Sequence, residues 1–145
     1  MTLEELAHSL PNGFHDSKLK LLTVDFERRT ICMQMSLLVG LPDDPPEHRD
    51  DYRDAQVDVS GFSFLVTERP DGSYNFAAPG SLTLVDAYEA SSIPEVATEL
   101  EFILKSPYHK FVQSFYVSDW TSFIHIAGND CSVRWIDPVV GDKAQ

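Results

Sequence analysis

Basic residues are scarce in this chain. Eleven Lys and Arg stand against 23 Asp and Glu, for a formal charge of −12 and a pI near 4.6. Nucleic acid and anionic membrane surfaces demand a positive footprint, so neither is expected as the main partner. Cysteine is scarcer still. Cys32 and Cys131 are the two thiols, too few for a disulfide scaffold and not spaced as CxxC. No apolar run approaches the roughly 20 residues of a membrane-spanning helix. The start, Met1-Thr2-Leu3-Glu4-Glu5-Leu6, lacks the basic segment and long apolar stretch of a secretory signal. These absences predict a cytoplasmic protein with two reduced, buried thiols, although sequence alone leaves a Cys32–Cys131 bridge open. Glycine motifs are missing too. G-x-G-x-x-G, G-x-x-x-x-G-K-[ST] and G-x-S-x-G do not occur, and Gly61-Phe62-Ser63 lacks the second glycine of the last. Dinucleotide binding, nucleoside-triphosphate binding and nucleophile-elbow hydrolysis therefore have no support.

What is present suits one domain over residues 1–145. The chain is 43% apolar and 11% aromatic, and at this length about 70% of the unfolded surface is buried on folding. A core is expected without help from metals or disulfides. Thr2 and Glu5 fit a capping box ahead of Leu3, Leu6 and Leu10, which predicts a short N-terminal helix stopped at Pro11-Asn12-Gly13. Residues 18–39 read as a β-hairpin around Glu27-Arg28-Arg29-Thr30. Its second arm alternates Ile31, Met33, Met35, Leu37 and Val39 against Cys32, Gln34 and Ser36. In its first arm, Leu22, Val24 and Phe26 are expected opposite Leu19 and Leu21. Prolines 42, 45 and 46 make 40–54 a loop. Residues 55–67 read as a strand that changes face at Gly61, the mark of a β-bulge. Residues 81–86 suit a short strand. Ser92, Pro94 and Glu95 form a helix-start pattern, and a helix near 94–104 is favoured, although Leu100, Phe102 and Leu104 also alternate. Strands over 111–118, 121–127 and 131–136, joined by tight turns, complete the chain, with a frayed tail at 138–145. The expected class is α+β: a curved, mainly antiparallel sheet of about six or seven strands.

The acidity is segregated. Residues 43–58 hold Asp43, Asp44, Glu47, Asp50, Asp51, Asp54 and Asp58 against Arg49 and Arg53. Residues 71–101 hold six carboxylates and no Lys or Arg. One reading is a pair of solvated faces that keep the chain soluble. The other is a patch that steers a basic protein partner, with Asp43, Asp44, Glu47, Asp50, Asp51 and Asp54 as candidate contacts. Their spacing is not that of a calcium loop, and no metal or cofactor is expected.

Histidines offer the remaining chemistry. His15 and Asp16 sit between a turn and a strand, and His125 lies on a strand between Ile124 and Ile126. Convergence of His15, Asp16 and His125 in one pocket would suit a small-molecule binder or a modest hydrolase. The alternative is a scaffold role for each, with Asp16 accepting backbone N–H bonds. No residue is singled out as catalytic. Phe111, Phe115, Tyr116, Trp120, Phe123 and Trp135 crowd the C-terminal third. Most suit a core, but Tyr116 and Trp120 are candidate interface residues, and a homodimer stays open.

The segment Leu10-Pro11-Asn12-Gly13-Phe14-His15-Asp16 with its following hairpin, and the segment from Tyr116 to Ala127, resemble those of a group of small uncharacterised bacterial proteins. More loosely, the chain is similar to immunity proteins of bacterial toxin systems. The second likeness implies a non-catalytic inhibitor bound to one toxin. Neither likeness carries assigned catalytic residues.

Overall fold

The computed structural model describes residues 1–93 and 100–136. Helix α1 spans Leu3–Ser9. Thr2 caps it by accepting the Glu5 N–H at 3.1 Å, which satisfies one of the donors a helix start leaves unpaired. Its inward stripe is Leu3 and Leu6, both essentially inaccessible, followed by Leu10.

Strands β1 (Ser17–Asp25) and β2 (Thr30–Leu38) form the expected hairpin. On β2 the alternation is obeyed: Ile31, Met33, Met35 and Leu37 are buried. On β1 it breaks. Leu19 pairs with Met35 but Leu21 with Gln34, so Lys20 is an extra residue in the ladder. That bulge turns Leu19 onto the same face as Leu22 and leaves Leu21 exposed. Leu19 and Leu21 therefore do not share a face.

Strand β3 (Tyr52–Ser60) adds to β2 and presents Ala55, Val57 and Val59 inward. Strands β4 (Phe64–Thr67), β5 (Leu82–Glu89), β6 (Phe111–Val117), β7 (Ser122–Gly128) and β8 (Asp130–Trp135) complete the sheet. The sheet is not closed. It has eight strands, more than the six or seven expected, in the order β4-β7-β6-β5-β1-β2-β3-β8, with every neighbouring pair antiparallel. The higher count arises because Gly61 divides the 55–67 strand. Ser60 pairs with Asp130, but Phe64 pairs with Ala127. The segments on either side of Gly61 are thus two lengths of one bent ladder. Gly128-Asn129-Asp130 is a bend in the partner strand and not a hairpin turn: the Asn129 N–H goes to Ser60 O and the Ser63 N–H to Ala127 O.

The bend curls the sheet around α1. That helix is only about 10 Å long, yet it packs against β5, β6 and β8. Phe14 plugs the same core and meets Phe115 edge-on at 5.4 Å. Helix α2 spans Glu101–Leu104, within the range 94–104 expected to be helical, and begins after Leu100; residues 94–99 and 137–145, with the expected tail at 138–145, lie outside the described residues.

Candidate functional site

The site begins with Asn12. Its side-chain amide donates to Leu38 O and Gly40 O, both at 2.9 Å, and so ties the chain after α1 to the end of β2. His15 Nδ1 donates to Val85 O at 3.0 Å and the Asp16 N–H donates to the same carbonyl at 3.2 Å, which docks the motif on β5. Asp16 is left-handed (φ 56°), a conformation that aspartate tolerates better than most residues. Its carbonyl accepts the Tyr52 hydroxyl at 3.0 Å. His15 Nε2 faces the Asp16 carboxylate at 3.2 Å, and both side chains are about half exposed.

Tyr52 connects this motif to the acidic loop. Burial, then the charges of Asp16 and Asp50, push its phenol above the ordinary range. Both carboxylates therefore act on one hydroxyl. The loop from 39 to 51 is clamped at its base, where Val39 and Gly40 donate to Asp51 O at 2.8 and 3.2 Å. The approach is close: a Cβ on Gly40 would lie 2.0 Å from Arg49 O, so only glycine fits. Asp44 accepts the Leu41 N–H at 2.8 Å, and Arg49 Nε donates to Asp44 O at 2.9 Å. A 3-10 turn, Pro46–His48, carries His48 against Asp51 at 2.9 Å.

The candidate carboxylates therefore divide. Asp44 and Asp51 hold the loop together. Asp54 bonds Lys20 Nζ at 2.8 Å and Ser36 Oγ, and these two, Lys20 first, hold its carboxyl below the usual range. Asp43, Glu47 and Asp50 are exposed and make no hydrogen bond or ion pair among the described residues.

Tyr116 and Trp120 lie elsewhere. Tyr116 meets Phe123 edge-on at 5.1 Å, and Trp120 meets Tyr74 at 6.2 Å while packing against the main core. His125 is wholly buried. Its Nδ1 meets Ser114 Oγ at 2.8 Å and its Nε2 meets Glu68 Oε2 at 2.8 Å, while Glu68 Oε1 accepts the Phe123 N–H. The order serine–histidine–carboxylate invites comparison with a nucleophilic triad. Ser114, however, has no accessible surface, and a nucleophile must reach its substrate. The trio satisfies buried polar groups on β6 and β7 from Glu68, the residue that follows β4. Ser114 and Glu68 carried no sequence signal of their own. The first is found from the β6–β7 register, which sets Ser114 opposite His125, and the second only from the fold. His15 and His125 have no hydrogen-bonding partner in common.

Both cysteines are free thiols, Cys131 buried and Cys32 partly so. Burial pushes Cys131 up to about 11 and, with the Asp58 charge, raises Cys32 as well, so neither is a ready thiolate. Among the described residues no three His, Cys, Asp or Glu groups are placed to hold a metal ion, and no helix is long and apolar enough to cross a membrane. Comparison with protein-family models, with curated proteins and with solved structures found no match.

Proposed function

We propose that this is a non-catalytic protein-binding protein of the immunity type, which docks a basic partner on the acidic end of the β1–β2 hairpin. One observation carries the reading. Asp43, Glu47 and Asp50 are exposed and unpaired on a loop whose base is held by Asn12, Asp44 and Asp51. A charge held on an ordered loop costs little conformational entropy when a partner arrives, and complementary charge accelerates and orients association. Asp16 extends the negative field beside Tyr52. Two free thiols suit a reducing compartment, and the reading assigns the protein to the cytoplasm.

The rival reading, a small-molecule binder or hydrolase using His15, Asp16 and His125, has less support. Two of those groups are half exposed and the third is sealed in the core without a shared partner.

The test is capture from a lysate of the source cells with immobilised protein, beside the triple variant Asp43→Asn, Glu47→Gln, Asp50→Asn. A basic protein should be retained by the wild type at about 50 mM salt, released near 0.5 M, and missed by the variant, because exposed charges are screened over a Debye length. The variant should unfold no earlier than the wild type, since none of the three groups has a partner to lose and three fewer negative charges repel one another. Equal retention by wild type and variant, or retention of nothing, sinks the proposal.

A further inference from the structure

The opposite end of the same hairpin holds an exposed cation, Arg29, in a turn whose other charges are Asp25, Glu27 and Arg28. Nine residues of β2 separate the acidic loop from the β1–β2 turn, a span of roughly 25–30 Å. At the turn, Arg29 is left-handed (φ 56°). Glycine or asparagine adopts that conformation more readily than arginine does. A strained arginine at a position where glycine would fold more easily points to use of its side chain.

The guanidinium lies over the Phe62 ring, 4.8 Å from its centroid. Phe62 is buried, and Phe26 meets its ring at 5.9 Å. The Arg29 side chain is exposed, and it makes no hydrogen bond or ion pair among the described residues. It borders a shallow, open cleft of about 370 Å³ lined also by Gly61, Phe62, Ser63, Tyr108 and Asn129. Gly61 (φ 62°) keeps the floor bare, and a Cβ there would lie 2.6 Å from Asn129 Nδ2. The Asn129 side-chain amide makes no hydrogen bond among the described residues. Tyr108 stands at the rim, 77% exposed. Behind the cleft, Ser63 Oγ meets His109 Nδ1 at 3.2 Å, and burial holds that imidazole below its ordinary range, toward the neutral form.

We propose that this cleft binds a small planar aromatic carboxylate. A guanidinium held over a ring, 4.8 Å from its centroid, can offer a fork for one carboxylate and a face for one aromatic ring. The Asn129 amide is placed to share the carboxylate, and Tyr108 supplies ring surface. The volume falls at the small end of the range for ligand sites. A single fixed cation matches a monoanion better than a phosphate dianion. This site does not depend on the acidic loop.

The experiment is a 1H–15N NMR titration of the whole protein with 4-hydroxybenzoate, with neutral 4-hydroxybenzamide, and with a hexaglutamate peptide. The benzoate should shift the amides of Gly61, Ser63 and Asn129 saturably, and the benzamide should bind at least ten-fold more weakly. Arg29→Gly should melt at or above the wild-type temperature, since the strain is relieved, yet lose at least ten-fold in affinity. Arg29→Lys, which keeps the charge but not the planar fork, should lose affinity as well. No saturable shift at millimolar benzoate, equal binding of the benzamide, or unchanged binding by both variants overturns the proposal. Shifts of the same amides by the peptide but not by the benzoate would make this end a protein-docking surface instead.

Discussion

At position 12 one amide group gives both its protons to main-chain carbonyls, Leu38 O and Gly40 O. Removing the donor leaves two partly buried acceptors to find water or nothing. Asn12→Ala should therefore cost about 1–3 kcal/mol in urea unfolding and loosen the loop at 39–51. Faster amide exchange at Val39 and Gly40 would report the second effect, and unchanged protection there would contradict it. Glu89 offers a residue-scale test with pH. A hydrogen bond with Glu4, then burial, raises its carboxyl above the ordinary glutamate range. The folded state thus holds a proton that the unfolded state releases sooner. The stabilisation is complete below the unfolded value and is lost as pH rises through the folded one. Glu89→Gln keeps a neutral partner for Glu4 at every pH. It should match the wild type near pH 4 and melt higher near pH 7; a gap that does not widen with pH would refute the pairing.

At the scale of elements, the faces of the hairpin hang on one extra residue. Because Lys20 is the bulge, its deletion yields an uninterrupted ladder in which Leu19 and Leu22 still point inward. The losses are the Lys20–Asp54 contact and some local twist. This deletion should fold, at a cost of no more than about 1 kcal/mol for the half-exposed pair. Deleting Gln34 from β2 is a different matter. That strand is paired on both sides, and a one-residue slip sends half of its buried set to the wrong face. The Gln34 deletion should yield no cooperative unfolding transition by circular dichroism. Two deletions of equal effect would show that register is not set by this pairing.

Across the whole molecule, charge opposes compaction. A formal charge of −12 on 145 residues gives a self-repulsion that falls as the Debye length shrinks from about 30 Å at 0.01 M salt to about 10 Å at 0.1 M. The melting temperature should rise by roughly 2–4 °C over that interval, a gain of about 1 kcal/mol for a domain of this size. Scanning calorimetry in sodium chloride measures it. A melting temperature that falls with salt would mean that pairs such as Lys20–Asp54 outweigh the repulsion. The two ends of the hairpin also differ in charge, with three unpaired carboxylates at one, and at the other a turn in which Asp25 and Glu27 balance Arg28 and Arg29. Each can therefore be altered without touching its opposite.

The amino-acid order by itself determined the local elements. Thr2 capping α1, the alternation of Ile31, Met33, Met35 and Leu37, the proline-held loop and the β6–β7 turn are written in neighbouring residues, because capping and strand period act over two to four positions. It also determined where carboxylates are dense. Tertiary structure alone decided which of them are spent: Asp54 on Lys20 and Ser36, Asp44 and Asp51 on the loop itself, with Asp43, Glu47 and Asp50 left over. It decided that His125 is sealed against Glu68 and Ser114, and that Asn129 and Gly61 meet beside Arg29. Those outcomes depend on residues up to 100 positions apart in the chain, as Arg29 and Asn129 are, brought together by the strand pairing and the bend at Gly61. Local pattern carries no record of such pairings, because it contains the residues of one strand and not the register of the next.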